Sequence, residues 1–432
     1  MIRSHPFIKG VFTILLIAIF PYAFSCSMYK VSSQGRTMVG NNEDSWGRDA
    51  SIWFEPGTKG AFGVVCVGYA RKFPHPDGAM NEHGLVFDAF TMRHRSNMPE
   101  KDPHKKDFSY SHIKTIMQQC KTVNEVYTFL QAMNLHVLNG SPIFNGGMLL
   151  FVDKSGKYLV VEAHQMTLGQ DDKFALANFS VADTKDFRSI KTERYRKGIL
   201  FLNNKKTECN LAYCKRLSDT MAVQRVKVGD GTLYTSIYDL QEGLVHVYFF
   251  HDFDKGITFN LKEELSKGPH IFQLEDLFPA NKEYQKFLNY QTPQNNKTIF
   301  GLLITIALLL FFSTCFFLIR FFGSATHHFK YLKLILSALS LVFCFYTGVL
   351  LTQQSIFYFP APHYDETSII IFMSGYLPVL LLIILFPLWF MMSKVFGTLG
   401  WNKFTGYLFA ANNIAYSLLL GFFMYWEMIV LF

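Results

Sequence analysis

Charge is scarce in this chain. Asp, Glu, Lys and Arg make up only 17% of its 432 residues while half of the residues are hydrophobic; soluble domains carry about a quarter charged residues. A chain so poor in charge cannot be a water-soluble globule throughout, and part of it must be solvated by lipid. The formal charge of +8 is not gathered into an arginine-rich or RNP-like stretch, which sets nucleic acid aside as a partner. There is no internal repeat. No further His or Cys pair is spaced to complete a metal site with Cys209 and Cys214 of CNLAYC, and His251, Asp252 and Asp254 fall in a strand-to-turn passage where a structural role is expected. Neither a metal nor an organic cofactor is therefore expected. The seven cysteines are an odd number, so at least one thiol stays single, and Cys209 and Cys214 either close a short disulfide loop in an oxidising compartment or remain thiols.

What the chain has in excess is apolar sequence, and it is concentrated. Residues 1–25 carry Arg3 and Lys9, then the run VFTILLIAIF, then Ala23 and Ser25 just ahead of Cys26. This is the three-part layout of a secretory signal, with an apolar run too short to span a bilayer as a mature helix. An uncleaved anchor, or a lipoprotein signal that also puts Cys first, are the alternatives. From residue 298 onward four long apolar runs follow, at 298–322, 331–351, 368–392 and 407–432, read as transmembrane helices. The loops after the first and third carry Lys and Arg, and the loop after the second is acidic, so the first and third are expected in the cytoplasm. That places the segment before residue 298 outside the cell membrane, periplasmic or extracellular, as a signal at the front also requires. His327 and His328 belong to the first of these basic loops.

Between signal and membrane, residues 26–280 read as a soluble domain and 281–297 as a polar linker to the membrane domain at 298–432. β-rich runs recur (SIWFEP, FGVVCVGYA, GLVFDAF, GGMLLFVD, KYLVVEAH, FALANFSV, HVYFFHDF), broken by Gly, Pro, Asn and Asp. Helical patterns fall between them in SHIKTIMQQCKTVNEVYTFLQAM and TERYRKGILFLNNK. Grouped strands and grouped helices point to α+β layering.

Cleavage after Ser25 would make Cys26 the first residue, with a free α-amine beside its thiol. An α-amine titrates near pH 8, so it can take the thiol proton and activate the nucleophile without a histidine. Downstream, a strand, a polar turn at SSQGR and the second strand TMVGNNED form a hairpin that returns Asp44 to the start of the first strand, where a carboxylate can hold an ammonium. The leading Cys with a G-N-N-E-D ending resembles the N-terminal-nucleophile hydrolases of the choloylglycine hydrolase and penicillin V acylase superfamily, which includes linear-amide hydrolases. GAMNEHGLVFDAF (78–90), GGMLLFVDKSGKYLVVE (146–162), FALANFSVAD (174–183), TERY with Arg194, and YFFHDFD (248–254) extend the resemblance over residues 26–270 or so. It implies a four-layer αββα sandwich, here followed by a four-helix transmembrane domain. It also implies Cys26 as nucleophile, Asp44 orienting its amine, Asn81 and Asn178 as oxyanion donors, and Arg194 as a site arginine. Where the family has Arg ahead of the Asn in its G-R-N-x-D motif, this chain has Asn41. Asn178 and Asn139 also begin glycosylation sequons, as does Asn296.

The expected activity is hydrolysis of a linear, non-peptide N-acyl amide through an acyl-thioester. An acyltransferase on the same nucleophile, or a binding or sensing module on an inactive scaffold, are the alternatives. Expected partners are a small N-acyl amide, lipidic if it is drawn from the bilayer, the bilayer itself, and a second copy if the helices oligomerise. The first consequence is directly measurable: N-terminal sequencing or intact mass of the mature protein should give Cys26 as residue one, and any other first residue removes the terminal amine from the chemistry.

Overall fold

The computed structural model describes residues 26–429 apart from residues 46, 59, 71–75, 93–97, 99, 141–145, 205, 225–230, 324–329, 359–374 and 398–400. The expected signal at 1–25 and the His327–His328 pair lie outside the described residues. Two compact units emerge, dividing between Asn289 and Tyr290.

The N-terminal unit begins with a hairpin, β1 (Ser27–Ser33) and β2 (Arg36–Ser45). Gln34 and Gly35 turn it with φ of 52° and 75°, the left-handed pair that matches the twist of flanking strands. Next come β3 (Ser51–Glu55), β4 (Val64–Gly68), β5 (Gly78–Asn81), β6 (Val86–Met92) and two short strands, β7 (Lys106–Asp107) and β8 (Met133–Asn134). They are followed by β9 (Gly146–Val152), β10 (Tyr158–Val161), β11 (Met166–Gly169) and β12 (Lys173–Ala177). The last strands are β13 (Gly231–Asp239), β14 (Leu244–Phe249), β15 (Asp252–Asn260) and β16 (His270–Gln273). Two antiparallel sheets result, one in the order β12-β1-β2-β13-β14-β15 and one in the order β11-β10-β9-β6-β5-β4-β3-β16.

Each sheet carries helices on its outer face. The helical pattern at 111–133 forms two helices, α1 (His112–Gln119) and α2 (Val123–Gln131). The break at Cys120–Thr122 lets Thr122 cap α2 by accepting from the Glu125 N–H, while the Glu125 carboxylate accepts from the Lys121 N–H. Their buried residues Ile113, Ile116, Met117, Val126 and Leu130 recur at helical spacing and pack on Phe87, Leu149, Phe151 and Leu159 of the eight-stranded sheet. On the six-stranded sheet lie α3 (Glu193–Asn204) and α4 (Leu211–Met221), whose Tyr195, Leu202, Tyr213, Leu217 and Met221 pack on Tyr29, Val31 and Ile237. Strand alternation sends the other residues of each sheet, Met28 and Val39 among them, into the space between the sheets, where they are fully buried. The layers are thus helix, sheet, sheet, helix, as expected. Two short helices follow, α5 (Leu261–Ser266) and α6 (Leu274–Leu277).

One expectation needs correction, and one open alternative is decided. The domain does not stop at residue 280: α7 (Lys282–Asn289) buries Tyr284 and Phe287 against Phe249 and Phe250, and Arg48 donates to the Leu288 carbonyl at 3.0 Å. The apolar residues at three-residue spacing make this polar-looking segment an amphipathic helix rather than linker. Cys209 and Cys214 are free thiols. Cys209 donates to the Val31 and Arg36 carbonyls, and Cys214, at the start of α4, points to Met38.

Among the described residues, the second unit contains four helices long and apolar enough to cross a membrane: α8 (Lys297–Phe322), α9 (Lys330–Thr352), α10 (Leu377–Gly397) and α11 (Lys403–Tyr425). The fourth starts earlier than its apolar run, since Asn402 caps α11 by accepting from the Thr405 N–H at 2.8 Å. Their inward faces carry polar groups that pair with each other. Ser313 donates to Asn412 Oδ1 at 2.8 Å, Ser340 and Tyr416 share a 3.0 Å bond, and Ser337 donates to the Thr314 carbonyl at 2.8 Å. In an apolar solvent such bonds join helices where hydrophobicity cannot.

Removing the aromatic ring at the centre of the eight-stranded sheet tests the sandwich core. Phe151→Ala, fully buried and 5.3 Å from the Phe87 ring, should lower stability by about 3–5 kcal/mol, read from urea unfolding of the full chain in detergent micelles.

Candidate active site

The hairpin decides the site. Ser33 pairs with Arg36 and Ser27 with Asn42, so the residue ahead of β1, Cys26, stands opposite Glu43. The Cys26 thiol donates to Glu43 Oε2 at 2.8 Å, and both residues are buried. Alternation puts Cys26, Met28, Asn41 and Glu43 on the face of the sheet that looks at the other sheet, and Asn42 and Asp44 on the face that looks at α3 and α4. The contacts agree: Asn42 donates to the Ser218 carbonyl of α4 at 2.9 Å and accepts from Thr235 at 2.7 Å.

On the helix side the backbone of Cys26 meets the expected partners. Arg194, in the first turn of α3, donates from Nε to the Cys26 carbonyl at 3.4 Å and from Nη2 to Asn178 Oδ1 at 2.6 Å. Its Nε also lies 3.9 Å from Asp44 Oδ2, and Asp44 Oδ1 accepts from Thr232 at 2.5 Å. Asn178 follows the end of β12 and donates to the Thr91 carbonyl of β6 at 2.9 Å, tying the two sheets together at this end. Cys26, Asp44, Asn178 and Arg194 are therefore one constellation.

Asn81 does not join it. Its Nδ2 donates to the Met117 and Cys120 carbonyls at 2.9 and 2.8 Å, and its Oδ1 accepts from the His83 and Leu85 N–H groups. The carboxamide is turned outward to the end of α1, closes the β5–β6 turn in which Gly84 has φ 76°, and has no donor left for an oxyanion at Cys26.

The thiol's surroundings on the inter-sheet side are acidic. Burial, then the charges of Glu43 and Asp88, push the Cys26 thiol well above its usual range. Burial, then Asp77, pushes Glu43 up as well, and burial raises Asp77 to about 7 and Asp88 well above a carboxylate's usual range. Asp88 heads a set of buried atoms without a hydrogen-bond partner among the described residues, which includes Asp77 Oδ2, Asn41 Oδ1, Ser236 Oγ and the hydroxyls of Tyr234 and Tyr238. Glu43, Asp77, Asp88 and Thr232 were not singled out from the sequence. Glu43 was available there, because a hairpin turned at Gln34–Gly35 pairs residue 26 with residue 43 and not with 44. Asp77, Asp88 and Thr232 are brought in by β5, β6 and β13, whose register no local motif announces.

The two asparagines separate by experiment. Asn81→Ala should lower stability by on the order of 3 kcal/mol, because it orphans two carbonyls and two N–H groups, while leaving the rate of Cys26 alkylation by iodoacetamide unchanged. A change in that rate with stability intact would restore Asn81 to the site.

No protein-family model matches the chain, and no curated protein does. Among solved structures, the chain is similar to an arginine-to-leucine variant of conjugated bile acid hydrolase from Clostridium perfringens, at 18% identity and TM-score 0.47 over 60% of this chain and 98% of that one. It is similar to a cysteine-to-alanine mutant of the same hydrolase, at 17% identity and TM-score 0.45 over 60% of this chain and 97% of that one. It is also similar to penicillin V acylase from Agrobacterium tumefaciens, at 14% identity and TM-score 0.42 over 58% of this chain and 91% of that one.

Proposed function

We propose that this chain is a membrane-tethered amidohydrolase in which Cys26, freed as the first residue, attacks the carbonyl of a linear N-acyl amide and carries the acyl group as a thioester until water releases it. The observation that carries the reading is the position of Cys26. It sits at the head of β1 with its thiol engaged by Glu43, while Arg194 bridges its carbonyl, Asp44 and Asn178.

The parts then take these roles. The α-amine created by cleavage begins β1 at the end where Asp44 and Arg194 lie, and the Asp44 carboxylate, already held by Thr232, orients it. Arg194 fixes the first peptide carbonyl of the strand and so the direction in which the amine leaves it. An Asn side chain carries two N–H donors. Asn178, held by Arg194 at Oδ1 and by the Thr91 carbonyl, donates from its side chain to the oxyanion as the carbonyl becomes tetrahedral. The acyl-thioester stores the acyl group, so that amine departure and water attack become two smaller barriers. The apolar helices keep the enzyme at a bilayer, which favours an amide with a fatty acyl chain. The catalytic unit is placed outside the cytoplasm by the signal at the front and the basic loops of the membrane domain.

One observation favours the inactive-scaffold alternative. Asn41, where the family has Arg, is buried on the thiol's side of the sheet, and the groups that bear on the thiol there, Glu43 and Asp88, are acids rather than a fixed cation. A thiol that forms an acyl-enzyme decides against that alternative. Cys26→Ala should abolish hydrolysis of a panel of long-chain N-acyl amides, and Asn178→Ala should lower turnover by about 10²–10³-fold with KM little changed. Wild-type turnover by Cys26→Ala would end the reading, and equal rates on acetyl and palmitoyl amides would end its lipid part.

A further inference from the structure

The amidase reading assigns the thiol proton to the α-amine, but the group that touches the thiol is a carboxylate. Resting on that reading, we propose that Glu43 is a catalytic residue, the proton acceptor for the Cys26 thiol, working beside the terminal amine from the opposite face of the strand. The contact is set by the hairpin rather than by a chance rotamer. Cys26 and Glu43 are cross-strand neighbours pointing to the same side, with Sγ 2.8 Å from Oε2. Their shared face is sealed: both side chains are buried, and the groups that face Glu43 come from every neighbouring element. Tyr234 lies opposite it on β13, Asp77 and Asp88 across the gap at the start of β5 and on β6, and Tyr69 after β4, while Asp44, next to it in β2, points to the other face. Arg194 lies on the other face of the sheet and spends its donors on Cys26, Asp44 and Asn178.

This setting explains why a contacting base is needed. A standing thiolate among Glu43, Asp88 and Asp44 is strongly disfavoured, as the raised thiol shows. The proton must therefore leave in step with attack, to a base already in hydrogen-bond contact. As the sulfur electron pair forms the S–C bond, the S–H bond breaks toward Glu43 Oε2 and the carbonyl π pair moves to oxygen. On collapse the C=O re-forms, the C–N bond breaks, and the Glu43 carboxylic acid protonates the departing amine. In the second half Glu43 takes a proton from the attacking water, the C–S bond breaks, and the proton returns to sulfur. Glu43 and the thiol end as they began, and the net reaction is amide plus water to acid plus amine.

An acceptor must be ionised before it can work, so the rate should rise with pH through the titration of Glu43. Burial, with Asp77 and Asp88 nearby, moves that titration up from the ordinary carboxylate range. The test is acylation of Cys26 in the full chain, in detergent, by p-nitrophenyl octanoate, followed by p-nitrophenolate release and by the mass of the acyl-enzyme between pH 5 and 10. Wild type should show an acid limb. Glu43→Gln should lose that limb, acylate at least about tenfold more slowly at pH 7, and recover only where the thiol itself ionises; Glu43→Asp should restore part of the limb. Asp77→Asn and Asp88→Asn keep Glu43 but remove a facing charge, so each should move the limb to lower pH, which gives a readout if Glu43→Gln does not fold. A Glu43→Gln profile identical to wild type, or limbs unmoved in both Asp variants, overturns the role of Glu43 and leaves the amidase reading in place. Wild type that is not acylated at Cys26 at any pH overturns the amidase reading itself.

Discussion

The turn at Gln34 and Gly35 fixes which residue stands across from Cys26, and the remainder of the site is arranged around that pairing. Two consecutive left-handed residues give a two-residue loop, and a two-residue loop leaves the register of β1 against β2 no freedom. A one-residue slip would exchange the faces, putting Asp44 toward the thiol and Glu43 toward the helices. In the register adopted, the strand keeps two sets of contacts on opposite sides. The backbone of Cys26 is handled from the helix layer by Arg194, Asp44 and Asn178. Its thiol is handled from the space between the sheets by Glu43.

That space is unusual for the middle of a β sandwich, where interdigitating apolar side chains are the rule. Away from the site the rule holds, with Met28, Val39, Val65, Val67 and Leu150 all fully buried. At the site it is broken by three carboxyl groups, Glu43, Asp77 and Asp88. Carboxyl groups this deep resist ionisation, and burial leads the causes that raise each of them. The neutral Asn41 fits the same logic. An arginine there would pair with the acids, pin them in the ionised state and favour a standing thiolate. Without it, the thiol stays protonated until a base takes the proton.

The four-helix unit inverts the pattern of a water-soluble fold. Its outward residues, such as Ile319 and Phe386, are exposed and apolar, while Ser313, Ser340, Asn412 and Tyr416 meet in the interior. A search of the sequence for intramembrane charges passes over this network, because each member is uncharged and sits in an apolar run.

The sequence by itself determined the division into an α+β part and four apolar helices and the strand runs, and its short motifs resemble a family in which Cys26, Asp44, Asn178 and Arg194 would share a site. These are recorded locally, in hydrophobic period, run length, a turn dipeptide and short motifs. It also contained the register that pairs Cys26 with Glu43, since counting back from Gln34–Gly35 suffices. Only the tertiary structure decided the rest. Asn81 lies in a motif that reads as catalytic, yet the end of α1 packs over it and consumes all four of its hydrogen bonds. Asp77 and Asp88 read as turn and strand residues until the second sheet brings them to the thiol. Residues 282–289 read as linker until Phe249 and Phe250 offer their apolar face a partner. In each case the deciding contact joins residues far apart in the chain, and no local pattern encodes which distant surface a side chain will meet.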